Sequence, residues 1–238
     1  ANYYAMMIEF IVLICVYKMM QVKTLRRIVF YVVTIVCNLF ALYLSGSRTA
    51  WIPFVVTIPF MFLINKRFIY FTTSMAGIGG AGLLLLLEPK LMQRATIFQD
   101  FAKRSNIWET AIKGIQAHPL LGEGPLTYFH IYKQYHGHPT QHAHSIYLDP
   151  ILSHGIIGVI LAGIYFAGNL KEVYLLLKRR IDLRLFSLIS AFILTILIHG
   201  ILDYTVYWVQ TGLLFLIVLS ASSMYFHKEQ PYDIQEEH

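Results

Sequence analysis

The chain has 238 residues, of which 57% are hydrophobic and only 13% are charged, and its mean hydropathy is +0.57. A soluble domain carries roughly 25% charged residues, whereas apolar runs of the roughly 20 residues needed to cross a bilayer recur along this sequence. These values exclude a soluble protein and predict an all-α integral membrane protein. The net charge of +6 does not indicate a nucleic-acid partner, because the basic residues lie between the apolar runs.

The first residues of the chain and its two cysteines give further information on the class of membrane protein. The sequence opens at Ala1 without an initiator methionine or a basic region leading to a cleavage site. We therefore expect residues 1–238 to form a single membrane domain that is the C-terminal part of a longer chain. Cys15 and Cys37 lie in different apolar runs, where a thiol packs as a small hydrophobe. Neither a disulfide framework nor a cysteine metal site is indicated.

Apolar runs predict a helical bundle of about seven transmembrane spans. They cover Tyr4–Met20, Ile28–Leu44, Ala50–Ile64, Phe68–Leu87, Ser145–Ala167, Leu185–His199 and Thr205–Phe226, of which the third and sixth are short. Basic residues concentrate at 21–27, 65–67 and 168–184, which share one side if the spans alternate. By the positive-inside rule that side is the cytoplasm. The rule predicts a large extracytoplasmic loop at 88–144, which we interpret as catalytic, and a cytoplasmic tail at 227–238.

The predicted loop 88–144 is a long polar stretch between apolar runs. Long connections within a compact domain more often have a function than not. Within it, Asn106–Ala117 spaces Ile107, Trp108 and Ala111 at helical intervals. This spacing predicts a short amphipathic helix that lies at the membrane surface. Gly122–Pro125 then supplies turn residues. A glycine-rich turn of this kind is weak evidence for phosphate binding and is more often a plain turn.

Arginines on the predicted outer side are candidates for binding an anion. Arg48 follows Ser45-Gly-Ser47 at the outer mouth of the third span, where a guanidinium either snorkels outward or faces an internal cavity. Arg94 and Arg104 lie on the same side. Arginine suits a doubly charged anion, because its planar fork gives phosphate oxygens two hydrogen bonds and stays charged at any working pH.

Four histidines, His136, His138, His142 and His144, stand close together just before the fifth span. One interpretation is a metal site, although the spacing fits no standard zinc signature and no neighbouring cysteine or carboxylate joins it. A second is a solvated loop without a role. A third is a general base, because imidazole has an unperturbed pKa of about 6.5 and takes a proton near neutrality. His144 is the best candidate base, since it lies where the loop meets the span.

The interpretation of two carboxylates depends on how deep they lie in the membrane. Asp203 lies between the last two spans and Glu9 lies within the first. An ionisable residue at membrane depth is a functional hypothesis by default, whereas at the surface Asp203 would only cap a helix.

Three groups of motifs occur in order along the chain. They are Ser45-Gly-Ser-Arg48-Thr-Ala-Trp51; Arg104-Ser-Asn-Ile-Trp108 followed by His118-Pro-Leu-Leu-Gly122-Glu-Gly124-Pro125; and Ala143-His144-Ser145-Ile-Tyr147-Leu148 followed by Gly155-Ile-Ile-Gly158. In this order they resemble the motifs of the O-antigen ligase and O-antigen polymerase superfamily, polytopic enzymes that transfer lipid-linked glycans outside the cytoplasmic membrane. Thr49 replaces a usual glycine, and Ser145 stands where asparagine is often found. The resemblance covers Ser45–Tyr204.

The resemblance implies a bacterial cytoplasmic membrane enzyme with an extracytoplasmic active site and further N-terminal spans. Its donor would be a glycan on undecaprenyl diphosphate, transferred with inversion and without a metal or other cofactor. The residues assigned to this reaction are His144 as general base, Arg48, Arg104 and Arg94 on the diphosphate, and Asp203, His142 and Trp108 in support. Tyr128, Tyr132 and Tyr135 either offer faces for sugars or, more often in such loops, pack internally.

The sequence says less about the acceptor and the partners than about the donor. Polymerisation onto another lipid-linked repeat is the first expectation, and ligation to a lipid, wall polymer or protein is close behind. The expected partners are the glycan donor, a glycan or lipid acceptor, the bilayer, a flippase and a chain-length regulator, but no nucleic acid. Two other classes stay open: a transporter or flippase, which should show discontinuous helices in related halves, and a non-catalytic metal sensor that uses all four histidines.

Overall fold

The computed structural model describes residues 2–88 and 97–226, and within them the chain is built of α-helices and short 3-10 helices. The α-helices of this part are α1 (Asn2–Met19), α2 (Leu25–Ser45), α3 (Trp51–Ile64), α4 (Phe68–Leu87), α5 (Ile97–Ala117), α6 (Thr127–Ile131), α7 (Asp149–Lys178), α8 (Leu183–His199) and α9 (Val209–Ser220). Two 3-10 helices, Thr205–Tyr207 and Ala221–Tyr225, flank α9. The all-helical prediction is confirmed, while Arg94 and the tail 227–238 lie outside the described residues.

Each predicted span corresponds to an apolar helix. Three of them, α1, α2 and α7, are long and apolar enough to cross a bilayer. Four shorter apolar segments cover Trp51–Ile64, Phe68–Leu84, Leu183–His199 and Val209–Tyr225. The count of seven spans and their sidedness therefore stay predictions.

Two helices differ from their predicted bounds. Helix α7 begins at Asp149 and continues to Lys178, beyond the predicted end at Ala167. Leucine, lysine and glutamate in this extension are strong helix formers, so the helix runs on through the basic segment. The last predicted span is divided instead, because α9 gives way to a 3-10 helix where Ser222 and Ser223 both donate hydrogen bonds to the Glu172 carboxylate, at 3.0 and 2.8 Å.

The centre of the bundle is formed by α1 and α8. Helix α1 packs against α2 and α8, and α3 packs against α8 and α4. The rings of Phe10 and Phe192 stack with centroids 4.1 Å apart, inside a buried cluster that also contains Leu13, Met61 and Ile189. Because lipid tails are as apolar as these side chains, close packing and interhelical hydrogen bonds, not hydrophobic exclusion, hold such a bundle together.

Contacts at the helix ends show that the chain runs up and down through the bundle. Asn2 at the start of α1 contacts Ser47 after α2 and Asp203 after α8. The opposite ends meet separately: Met20, Asn65, Asp182 and Tyr225 line one cavity of about 490 Å³. The bundle thus has two distinct ends, and the sequence motifs fall at the Asn2 end.

Helices α5 and α6 form a cap with a small core of its own. Ile107 and Ala111 of α5 pack with Tyr128, Ile131 and Leu152. The helix predicted at Asn106–Ala117 is present but longer, and Ile107 and Ala111 lie on its apolar face; its position relative to the membrane stays a prediction. That face contacts α6 and α7, because the protein itself offers an apolar surface there.

Helix α7 is kinked at Gly155, and the glycine-rich turn fills the kink. Gly155 has φ 65° and ψ −176°, a conformation essentially restricted to glycine. The freed amides of Ile156 and Ile157 donate to the carbonyls of Pro119 and Leu120, at 2.9 and 3.1 Å. On the other side of the contact, the amide of Gly124 donates to Ser153 at 2.8 Å. The glycines are thus explained by backbone packing between turn and helix, which supports the plain-turn interpretation.

Replacing Gly155 by alanine should strongly destabilise the protein. A Cβ at this position would collide with the Leu120 carbonyl, and the backbone conformation alone costs about 1–3 kcal/mol for a non-glycine residue. Thermal unfolding of the purified protein in detergent should show a lower midpoint or a loss of folded material. Gly163→Ala in the same helix is the matched control, since its Cβ would meet open space; equal midpoints for the two variants would contradict this explanation of the kink.

Candidate active site

A hydrogen-bonded pair, His144 and Asp203, lies at the end of the bundle where Asn2 is found. His144 stands on the turn before α7, and Asp203 follows the C-terminus of α8. The Nδ1 atom of His144 is 3.0 Å from Oδ1 of Asp203. A carboxylate only accepts hydrogen bonds, so Nδ1 carries the proton and the lone pair of the neutral ring is on Nε2.

Backbone contacts fix the position of the His144 turn. His144 itself has a left-handed backbone with φ 46°. On one side of it, the amide of Ala143 donates to Asp149 Oδ1 at 2.6 Å; on the other, the amide of Ile146 donates to the carbonyl of Gly200 at 2.8 Å. The turn is therefore held both to the start of α7 and to the end of α8, which places the imidazole beside Asp203.

Asp203 is a buried carboxylate with a nearly complete set of donors. It is 3% exposed and accepts hydrogen bonds from His144, from the Asn2 side-chain amide and from the Tyr204 amide, the last at 2.7 Å. Burial alone would raise the pKa of this carboxyl, but the hydrogen bonds that it accepts, chiefly from His144 and also from Asn2, hold its pKa well below the usual range. These donors stabilise Asp203 as a carboxylate.

The remaining ring nitrogen of His144 faces a hydroxyl. Thr140 Oγ1 lies 3.0 Å from Nε2 of His144, and because Nε2 has the lone pair, the threonine hydroxyl is the donor. The His144 side chain is 26% exposed, so part of the ring is open to solvent. The arrangement presents a basic nitrogen to an alcohol, which is the geometry that general-base removal of a hydroxyl proton requires.

Asn2 connects this pair to the segment that carries Arg48. The Ser47 hydroxyl donates to Asn2 Oδ1 at 2.9 Å, while the Asn2 amide nitrogen donates to Asp203. Arg48 is the next residue after Ser47 and is exposed at the same end of the bundle. A short chain of hydrogen bonds therefore links the backbone segment before Arg48 to the carboxylate that orients His144.

Arg104 and Trp108 lie on α5, next to the histidine turn. Both side chains are half-buried. Arg104 stands one helical turn before Ile107, and Trp108 directly follows Ile107. Ile107 shares a buried cluster with Ala143 of the histidine turn. Trp108 contacts the ring of Phe101 edge-on, with centroids 6.2 Å apart. The Trp108 side chain is thus partly enclosed by the cap.

The three loop tyrosines pack internally. Tyr128 is 1% exposed and donates its hydroxyl to the carbonyl of His138 at 3.1 Å. Tyr132 and Tyr135 are half-buried against the same small core. The packing interpretation holds for Tyr128, which has no face available to a sugar.

The four histidines of the loop do not come together. The side chains of His136 and His138 are exposed, whereas His142 stands edge-on to His144 with ring centroids 4.4 Å apart. A ring nitrogen from each of His142 and His144 and an oxygen of Asp203 lie within 4.8 Å of one another. The local sequence offers no carboxylate to this loop, but the fold supplies one, so these three residues are the part of the described chain able to hold a metal ion.

Glu9 has a partner deeper in the bundle. Its carboxylate oxygens lie 2.9 and 3.1 Å from Nδ1 of His199, and both side chains are fully buried. Glu9 stands roughly 10 Å further along α1 than Asn2. A buried ionisable group needs a partner, and Nδ1 of His199 provides one for Glu9, so the pair links α1 to the end of α8.

A family model described as O-antigen ligase matches residues 33–163, more than half of the chain. The chain belongs to the O-antigen ligase family. Membership implies a membrane context, a lipid-linked glycan substrate and a glycosyltransferase-like activity. No curated protein and no solved structure matches the chain.

In this O-antigen ligase family member, sequence reasoning missed Asn2, Ser47 and Thr140 as residues around the pair. None of them carries a charge or belongs to a metal-binding spacing, and Asn2 is separated from Asp203 by nearly the whole chain. The available signal was weak: each is a small polar residue at the end of a helix or in the histidine loop.

Asn2→Asp should impair transfer by this O-antigen ligase family member. It replaces a donor by a second carboxylate beside Asp203, and two carboxylates that share a site cannot both ionise easily. We expect a lower kcat, a changed pH profile and recovery in Asn2→Gln, which keeps an amide. Asn106→Asp is the control, since that residue accepts a hydrogen bond from the His138 amide that an aspartate retains. Unaltered kcat and pH profile in Asn2→Asp would show that Asn2 does not position Asp203.

Proposed function

We propose that this protein is an inverting, metal-independent glycosyltransferase that polymerises or transfers glycans from undecaprenyl diphosphate on the outer face of the bacterial cytoplasmic membrane. The observation that carries the proposal is the orientation of His144, whose Nδ1 is held by Asp203 while Nε2 faces the Thr140 hydroxyl. Family membership supports the lipid-linked substrate.

The arrangement of the helix ends supports an extracytoplasmic site. The end of the bundle that contains Met20, Asn65 and Asp182 is close to the basic turns at 21–27, 65–67 and 168–184. The positive-inside rule assigns that end to the cytoplasm, so His144 and Asp203 at the opposite end lie outside. Seven spans and an external segment at 88–144 follow from the same alternation.

Proton removal is the role of His144. An acceptor hydroxyl that displaces Thr140 would place its proton against Nε2 of His144, and its oxygen would attack the anomeric carbon from the face opposite the diphosphate. The new C–O bond forms as the bond to the diphosphate breaks, and the proton passes to Nε2. The ionised Asp203 stabilises the resulting imidazolium and holds its orientation. No covalent intermediate is needed.

The role of the arginines is to bind the leaving group. Arg48 and Arg104 would bind the diphosphate oxygens and offset the negative charge that grows as the lipid diphosphate departs, with Arg94 as a further ligand. The hydrogen-bonded connection through Ser47 and Asn2 holds the residue before Arg48 to Asp203, which supports a place for Arg48 near the site. His142 and Trp108 would support the loop around His144.

Polymerisation is proposed ahead of ligation to a lipid, wall polymer or protein, and a flippase and a chain-length regulator are the proposed partners. A transporter should instead show discontinuous helices in related halves. Helix α7 is interrupted at Gly155, but the backbone of Leu120 fills the interruption and leaves no room for an ion or a substrate. This filling favours the transferase over a transport pathway.

Removing the proposed base should abolish most activity. His144→Asn keeps a residue that tolerates the left-handed backbone but lacks a base, so transfer should fall about 100- to 10,000-fold. The assay is glycan transfer from a lipid-diphosphate donor by the purified full-length protein, with and without a chelator. Activity of the unsubstituted protein should survive the chelator.

The control for this experiment is His138→Ala, which removes an exposed imidazole of the same loop and should keep full activity. Full activity in His144→Asn would exclude His144 as the base. A chelator that abolishes transfer by the unsubstituted protein would instead exclude the metal-independent mechanism.

Arg48→Lys should reduce transfer even though it keeps the charge. Lysine cannot form two parallel hydrogen bonds to a diphosphate, and the loss of one charge-assisted bond corresponds to a decrease in kcat/KM of about 10- to 100-fold. Arg26→Lys at the opposite end of α2 is the matched control and should be neutral. Kinetics with the lipid-linked donor test this, and a neutral Arg48→Lys would show that the guanidinium does not bind diphosphate through two bonds.

A further inference from the structure

Three potential metal ligands converge at the proposed base. His142, His144 and Asp203 each offer one donor atom, and these atoms all lie within 4.8 Å of one another. Adjacent ligands of a tetrahedral zinc ion stand roughly 3.4 Å apart, given metal–ligand bonds of about 2.0–2.2 Å. The separation of His144 Nδ1 from Asp203 Oδ1, 3.0 Å, is already close to that value.

His142 has the properties of a metal ligand. Its Nδ1 atom is buried and has no hydrogen-bond partner in the described part of the chain. An unsatisfied polar atom inside a protein needs an explanation, and an ion shared with His144 provides one.

The donor set selects the class of ion. Two imidazole nitrogens and one carboxylate oxygen suit zinc and similar first-row divalent cations, whereas calcium and magnesium prefer oxygen ligands. Three protein ligands leave a fourth position for water or substrate. Asp203 brings a buried negative charge, which offsets part of the charge of a divalent ion.

We propose that His142, His144 and Asp203 form a binding site for Zn²⁺ whose occupation inhibits the enzyme. Zn²⁺ bound at Nδ1 of His144 moves the ring proton from Nδ1 to Nε2, whereas Zn²⁺ bound at Nε2 occupies the lone pair directly. Either way the imidazole no longer accepts a proton from a substrate hydroxyl. The inhibition rests on the proposed function, whereas the binding itself does not.

Zinc binding and transfer should be measured on the same full-length protein, purified in detergent with any histidine tag removed. Titration calorimetry with Zn²⁺ alone reports the binding, and glycan transfer from a lipid-diphosphate donor at increasing Zn²⁺ reports the inhibition. The variants are His142→Ala and Asp203→Asn, with His138→Ala as the control for zinc bound by exposed histidines of the loop.

The expected result is one zinc ion per chain, inhibition that a chelator reverses, and binding weakened at least about tenfold in both ligand variants but not in His138→Ala. In His142→Ala the zinc concentration for half inhibition, relative to that variant's own activity, should rise by a similar factor. Equal binding in His142→Ala and the unsubstituted protein would overturn the proposal.

The two proposals fail in different ways. Zinc bound by His142 and Asp203 in a protein without transferase activity would disprove the proposed function and leave the metal site standing. Transfer that is insensitive to Zn²⁺, in a protein that His144→Asn inactivates, would leave the transferase and disprove the inhibition by Zn²⁺.

Discussion

Asp203 is a charged group that the fold has to accommodate, and the end of the bundle is arranged around it. A buried carboxylate is tolerated only when donors replace the water it has lost. Here those donors come from three distant parts of the chain: Asn2 at the start of α1, the ring of His144 and the amide of Tyr204. Satisfying one charge therefore fixes the relative positions of α1, the histidine turn and the end of α8. Ser47 extends the same set of hydrogen bonds to the arginine that follows it.

A second set of contacts joins the cap to the bundle through backbone alone. The turn around Leu120 lies against the kink of α7 so closely that side chains are excluded at Gly155 and Gly122. The small core of Ile107, Tyr128 and Leu152 then packs α5 and α6 onto the first turns of α7. Rigid attachment suits the role proposed for His144, because a general base must hold its geometry to a fraction of an ångström. A histidine on a loop gains that precision here from elements on both sides of it.

Much of the fold was predictable, since apolar runs and basic turns are local features of the sequence. The helices that correspond to the spans begin and end within a few residues of the predictions, except where helix formers carry α7 past Ala167 and where serines that bind Glu172 divide the last span. Contacts between distant residues were not predictable. The pairing of Asp203 with His144, the bridge through Asn2 and the partner of Glu9 all depend on how helices are arranged in space, which periodicity alone does not encode.

The double attachment of the segment between His144 and Gly155 restricts how the length of this chain can vary. At one end of the segment, the amide of Ala143 donates a hydrogen bond to Asp149. At the other end, Gly155 packs directly against the backbone of Leu120. An inserted residue would rotate everything beyond it by about 100° around the helix axis, which would turn the kink away from its turn or the imidazole away from its carboxylate. Related proteins of different length should therefore carry their insertions elsewhere, for example in the exposed turn at 21–24, and keep this spacing constant.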